Sequence, residues 1–258
     1  MITTLVVGID RGVLRNQRFA GFVSHKRIMP EVDMELYKVI DFSGEDAVEF
    51  LQGQLTQDVT RLDGADRLLA AWCTSKGRVI VIARMVATES GIAMIIPADM
   101  LDKIHKTIMM YRFRSKVEIT ISECDGSLLL APDEYDMLAL IKAGIPQIDA
   151  RNTEVFTPHM LNLDKLDAIS FTKGCYTGQE IVARTEHRGK SKRRMMRYIA
   201  NHDGIKVGAD VSDGERNIGS VVNVIGRDLL AVTPLDRHDQ ALRVGEVQIE
   251  PQRLPYSL

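Results

Sequence analysis

Lys173-Gly174-Cys175-Tyr176-Thr177-Gly178-Gln179-Glu180 sets one thiol between two glycines, beside a lysine and just ahead of a stretch of helical composition. Upstream, Leu166-Asp167-Ala168-Ile169-Ser170-Phe171 alternates and reads as a strand or an extended lead-in. Downstream, residues 179–184 carry an acid early and an arginine late, the order the helix dipole favours. A thiol at a helix N-terminus beside a cation is acidified, because both stabilise the thiolate. Cys175 is therefore a candidate reactive residue, with Lys173 as its activator. Gly174 and Gly178 allow a sharp turn or close approach of backbone to a ligand. A free cysteine more often packs as a small hydrophobe, but the glycines, the lysine and a basic tract downstream weigh towards a site.

Working outward, residues 35–42 read as a strand, and Ser43 with Asp46 as a capping box for a helix through Gln54. Residues 67–74 and 78–87 form a hairpin around Ser75-Lys76-Gly77, and 91–96 another strand. Pro97 suits the first turn of a helix running to about Met110. Strands over 117–121 and 127–130 precede a helix over 134–142 that ends at Gly144. From Met195 the texture changes. Short β runs at 196–200, 217–225, 229–232 and 242–249 alternate with Gly- and Asp-rich turns, which suggests a small barrel or sandwich. The chain divides into residues 1–33 of unknown role, an α+β body over 34–190, and a C-terminal β-unit over 191–258.

The 258 residues are 45% hydrophobic and 26% charged, enough to bury a sizeable core. Lys plus Arg number 33 against 35 acids, so no global basicity argues for nucleic acid. Three cysteines without a CxxC pair rule out a disulfide framework. Cys73 and Cys124 lie in apolar, strand-like runs and read as core. No apolar run is long enough for a membrane span, and residues 1–8 lack a basic leader, so a cytoplasmic location with no membrane partner is expected. Two nucleotide-binding imitations fail. Val6-Val7-Gly8-Ile9-Asp10-Arg11-Gly12 lacks the G-x-G-x-x-G spacing, and Gly189-Lys190-Ser191 has Arg184 where a P-loop needs its first glycine.

The octapeptide at 173–180 resembles the signature of the YgfZ folate-binding proteins, a branch of the glycine-cleavage T-protein superfamily. The resemblance extends through Thr157-Pro158-His159-Met160-Leu161-Asn162-Leu163 and Ile181-Val182-Ala183-Arg184, and returns at Leu51-Gln52-Gly53-Gln54-Leu55-Thr56-Gln57-Asp58, Ser75-Lys76-Gly77-Arg78 and Ala143-Gly144-Ile145-Pro146. It implies a T-protein-like body of two interleaved α/β subdomains followed by a small β-barrel. It also implies a central cavity for tetrahydrofolate or a derivative, and a role in assembly or repair of iron–sulfur proteins and thereby in tRNA modification. Tyr37 and Tyr135 stand nearest the aromatic residues that related proteins place against the folate rings. His159 and Asn162, near the Pro158 turn, are candidates for polar contacts, joined by Tyr176 and Gln179 of the motif. Expected partners are the folate and iron–sulfur proteins or their assembly machinery. A lone cysteine supplies one of the four ligands usual for a cluster, so no stable metal is expected.

The tract 184–197 carries seven Lys/Arg against one acid, Glu186. It reads as a solvated face or as an anion-binding rim in which Arg184, Arg188 and Lys190 hold a folate's glutamate tail or an RNA backbone. Few aromatics interleave with these charges, which favours polyglutamate over RNA. T-proteins carry an acidic pair after the hairpin glycine. Here Gly77 is followed by Arg78-Val79-Ile80-Val81-Ile82-Ala83, which offers no group to move a proton. Folate-dependent aminomethyl or methyl transfer is thus the weaker alternative, and a non-catalytic RNA-binding adaptor the second.

Overall fold

A computed structural model describes residues 34–65, 67–124, 135–188 and 191–258. The N-terminal segment 1–33 and the expected strand at 127–130 lie outside the described residues. Tyr37–Ser43 forms β1, followed by α1 (Ala47–Gln52), β2 (Arg67–Cys73), β3 (Val79–Thr88), β4 (Gly91–Pro97), α2 (Leu101–Tyr111) and β5 (Glu118–Glu123). The strands make an antiparallel sheet in the order β2-β3-β4-β1-β5. β3, rich in β-branched residues and buried along most of its length, holds an interior place in it, as such side chains fit a pleated surface covered on both sides.

The two sheet faces bury different partners. Leu68, Ala70, Trp72, Met85 and Met94 face α1 and α2, meeting Phe50, Leu51, Ile104 and Ile108. On the other face Ala71, Cys73, Val79 and Ile82 pack against the second half of the body, which contains α3 (Met137–Ala143) and α4 (Gln179–Arg188). α3 begins at Asp136, whose carboxylate accepts from the Leu138 and Ala139 amides, and ends at Gly144 in the left-handed region at φ 67°. Cys73 and Cys124 are both buried.

The C-terminal unit is a closed barrel of β6 (Arg193–Ala200), β7 (Asp210–Ser212), β8 (Asn217–Ile225), β9 (Asp228–Pro234), β10 (Leu242–Val244) and β11 (Val247–Gln252). The run expected over 242–249 is two strands, broken by Gly245 at φ 59°. Closure removes the exposed edges that a sandwich of such short strands would leave. Barrel and body share one core, since Met195, Val222, Leu230 and Val232 pack with Ile148, Phe156, Leu161 and Leu163. Side-chain amides sew the same seam. Asn223 Nδ2 donates to the Gln147 carbonyl at 2.8 Å while its Oδ1 accepts the Gln147 amide at 2.9 Å. Asn152 Nδ2 donates to the Val222 carbonyl at 2.8 Å.

Three local expectations differ from the structure. Pro97 closes β4 rather than lying in the first turn of α2, which starts at Leu101. Ser43 is the last residue of β1, and Gly44 at φ 102° turns the chain before the helix, so the N-cap is Asp46. Its carboxylate accepts the Lys116 amide and makes no capping bond. Of the strand or extended lead-in expected before the motif, no strand forms: Asp167 sits at φ 51° in a turn, and 168–170 carry no regular secondary structure.

Candidate functional site

The motif loop is pinned to the β2–β3 hairpin and to the turn after α1. Gly178, at φ 83°, lies so close to the β2–β3 hairpin that a Cβ there would stand 2.4 Å from the Thr74 carbonyl oxygen. The hairpin glycine Gly77, at φ 67°, packs under Ile181 of α4. Thr177 donates its amide to the Gly53 carbonyl at 3.1 Å and its hydroxyl to Gln54 Oε1 at 3.2 Å. Gln179 turns its side chain back to accept the Tyr176 amide at 3.2 Å, which makes it a helix-start cap. Tyr176 is buried, and burial pushes its phenol well above the usual range.

Lys173 has other work than the sequence reading gave it. Its ammonium donates to the carbonyls of Gln52, Leu55 and Gln57 at 2.8, 2.7 and 3.0 Å, which engages all three N–H groups. The residue staples the loop to the turn after α1, above the Tyr176 ring at 5.2 Å. Burial lowers its pKa to about 8, with the Asp58 carboxylate opposing that shift. Cys175 is exposed, and α4 starts only at Gln179, so the thiol lies ahead of the first helical turn where the dipole is felt. The loop therefore presents a fixed, solvent-facing thiol. Cys73, by contrast, is sealed beneath the hairpin with its thiol pushed up to about 12 by burial.

Tyr37 and Tyr135 meet edge to face with ring centroids 4.9 Å apart. The Tyr37 hydroxyl donates to Gln147 Oε1 at 3.0 Å, and the Arg84 guanidinium lies over the Tyr135 ring at 4.7 Å. The pair borders a cavity of about 400 Å³ with Leu36, Pro97 and Met137 as apolar walls and Asp99, Gln147, Asp149 and Arg151 as polar ones, Asp149 being ion-paired with Arg151 and Gln147 Oε1 accepting from Tyr37. Beyond Arg84 a smaller cavity of about 200 Å³ is lined by Arg67, Leu69, Leu140, Ile145 and Leu166. Register places these groups on one face, since Leu69 pairs with Arg84, Arg84 with Ile95, and Ile95 with Val39. Tyr37 is buried, and desolvation raises its phenol while Arg84 partly offsets it.

The other candidates stand apart from this pair. His159 is buried, with Nε2 at 3.0 Å from Glu186 Oε2 on α4 and Nδ1 without a partner. Asn162, at φ 58°, is a seam residue: its Nδ2 donates to the Met195 carbonyl at 2.7 Å and to the Tyr256 hydroxyl at 3.3 Å. The basic tract is divided by β6. Arg194 turns inward to Asp164 and to the His159 carbonyl, and Arg197 pairs with Asp228 at 2.9 Å. Arg184 is exposed on α4, while the Arg188 side chain and Lys190 lie outside the described residues. Sequence reasoning passed over Arg84, whose signal was its register on a face with Tyr37, and over Gln147 and Asp149, which lie in the irregular segment after α3.

A sheet covered by helices on one side, a second half with a cavity on the other, and a closed barrel define a T-protein-like fold. The aminomethyltransferase T of the glycine cleavage system from Bartonella henselae superposes with a TM-score of 0.62 at 11% identity, covering 86% of this chain and 84% of that one. No protein-family model matches the chain. A Yersinia pseudotuberculosis tRNA-modifying protein YgfZ is 27% identical over 308 aligned positions, covering 88% of this chain and 92% of that protein. An uncharacterized Haemophilus influenzae protein is 29% identical, over 88% of this chain and 98% of its own length. The chain is thus similar in sequence to the tRNA-modifying protein YgfZ and shares the fold of the glycine-cleavage T-protein.

Proposed function

We propose that this protein binds a reduced folate between β1, β3 and the second half of the body, and that it serves tRNA modification through iron–sulfur proteins. The observation that carries the reading is the cavity bordered by Tyr37 and Tyr135 on a T-protein-like scaffold. Its size falls within the range of small-molecule sites, and its chemistry fits a folate: apolar and aromatic walls for flat rings, carboxylate and amide acceptors for a donor-bearing pterin edge. Arg67 and Arg84, lining the smaller cavity, set positive charge on the side where an acidic tail would lie. The tRNA role is supported by the Yersinia relative, which bears the name of a tRNA-modifying protein.

Within this reading Cys175, exposed on a stapled loop, is the group that meets the iron–sulfur partner. Aminomethyl transfer is the weaker reading, because the strand after Gly77 buries Val79, Ile82 and Ala83 and brings no carboxylate to the cavity. Anaerobic calorimetric titration of tetrahydrofolate into wild type, Tyr37→Ala and Cys175→Ala tests the proposal. Wild type and Cys175→Ala should bind alike, and Tyr37→Ala at least about tenfold more weakly, since an aromatic contact and its buried area are lost. No heat from wild type would sink the folate reading.

A further inference from the structure

At the C-terminal end of α2 the chain reads Tyr111-Arg112-Phe113-Arg114-Ser115-Lys116, aromatics alternating with cations, and the structure leaves both rings in solvent. Phe113 is 78% exposed and Tyr111 44%. A turn closed by the Ser115 amide on the Arg112 carbonyl at 2.9 Å puts Phe113 at its apex. Arg114 follows at φ 74°, a conformation that suits glycine or asparagine, yet the position holds an arginine whose guanidinium lies 5.3 Å from the Phe113 ring centre. Among the described residues no carboxylate pairs with Arg112 or Arg114. The two rings and Arg114 line a groove of about 330 Å³ together with Phe50, Glu49 and Gln54 of α1 and its C-terminal turn, and with Asp46, whose carboxylate is taken up by the Lys116 amide.

We infer that this groove seats an unpaired nucleobase of a single-stranded RNA. The inference deepens, and rests on, the tRNA-related reading above. Phe113 and Tyr111 offer π-faces on which a base stacks, and Arg112 and Arg114 offer unpaired cations for the flanking phosphates. Glu49, exposed and with no side-chain partner among the described residues, accepts from the N–H groups of a base edge. A carboxylate in the groove disfavours phosphate inside it, so the backbone runs along the arginine side. The groove adjoins the motif loop, because Gln54 and Gly53 are the two residues that hold Thr177. The RNA contact moves from the tract 184–197, where aromatics are absent and two arginines are internal, to a place where stacking and charge coincide.

Fluorescence anisotropy with a short, labelled single-stranded oligoribonucleotide, its duplex, and an acidic phenylalanine-bearing peptide tests this. The single strand should bind best. Phe113→Ala should weaken it about tenfold, the loss of one stacked base, while Phe113→Trp retains it. Arg114→Asn, which keeps the left-handed turn, should reduce the magnitude of the salt slope by about 0.7, one phosphate contact. Wild-type affinity in both Phe113→Ala and Arg114→Asn, or preference for the peptide or the duplex, overturns the inference. Should Phe113→Ala fail to fold, Phe113→Trp and Arg114→Asn decide it. Tetrahydrofolate titrated into the same proteins separates the two readings. RNA binding lost with folate binding kept marks the groove alone, and the absence of folate binding by wild type marks the folate reading alone.

Discussion

Lys173 sits where three carbonyl oxygens converge, and its titration is tied to the stability of the motif loop. In the unfolded chain the ammonium titrates near 10.5, and in the folded protein near 8, because burial penalises the charged form. Between those values the unfolded chain holds a proton that the folded protein lacks, so this group makes stability rise with pH across that window. Urea unfolding of wild type and Lys173→Met at about pH 7.5 and about pH 9.5 checks the sign: wild type should gain on the variant at the higher pH. An unchanged difference would mean that the three carbonyls hold the proton as firmly as water does. Sequence alone located Lys173 beside the thiol but not the direction of its side chain. That direction is fixed by the Gln52, Leu55 and Gln57 carbonyls, brought near by α1, more than a hundred residues earlier in the chain.

The two glycines of the motif differ sharply. A Cβ at Gly174 would meet nothing within 4 Å, whereas at Gly178 it would drive into the Thr74 carbonyl at a φ of 83°. Gly174→Ala should therefore stay within about 0.5 kcal/mol of wild type. Gly178→Ala should lose about 2 kcal/mol or more through strain and overlap, read as a lowered urea midpoint with an unchanged slope. At this scale the sequence was informative where periodicity and turn residues agree. The β2–β3 hairpin, α3 with its Gly144 stop, and the helix after Gln179 were all legible. The Ser43 cap misled because β1 runs on through Ser43, and Gly44 turns the chain before the helix begins. The exposed rings after α2 escaped notice because Met109 to Tyr111 continue a helical pattern, and only the turn at Arg114 throws Phe113 outward.

Body and barrel share a core and an amide-sewn seam, so the molecule should unfold in one transition. Coincident fluorescence and circular-dichroism curves in urea, with a single midpoint, would show it, and two separated midpoints would contradict it. The barrel was visible in the sequence as a change of texture near residue 195. The seam was not, since Asn152, Asn162 and Asn223 are ordinary polar residues until the two halves meet. Gln147 is the residue where the seam reaches the cavity: Asn223 holds its backbone, and its side chain accepts the Tyr37 hydroxyl. A ribosome delivers the body first, with Leu161, Leu163 and Phe156 still waiting for the strands that will cover them, and the Gln147 peptide groups still waiting for Asn223. Until β8 and β9 emerge, the nascent chain must carry an uncovered apolar face, so its cavity is finished late in synthesis and the unfinished chain is one that chaperones would hold.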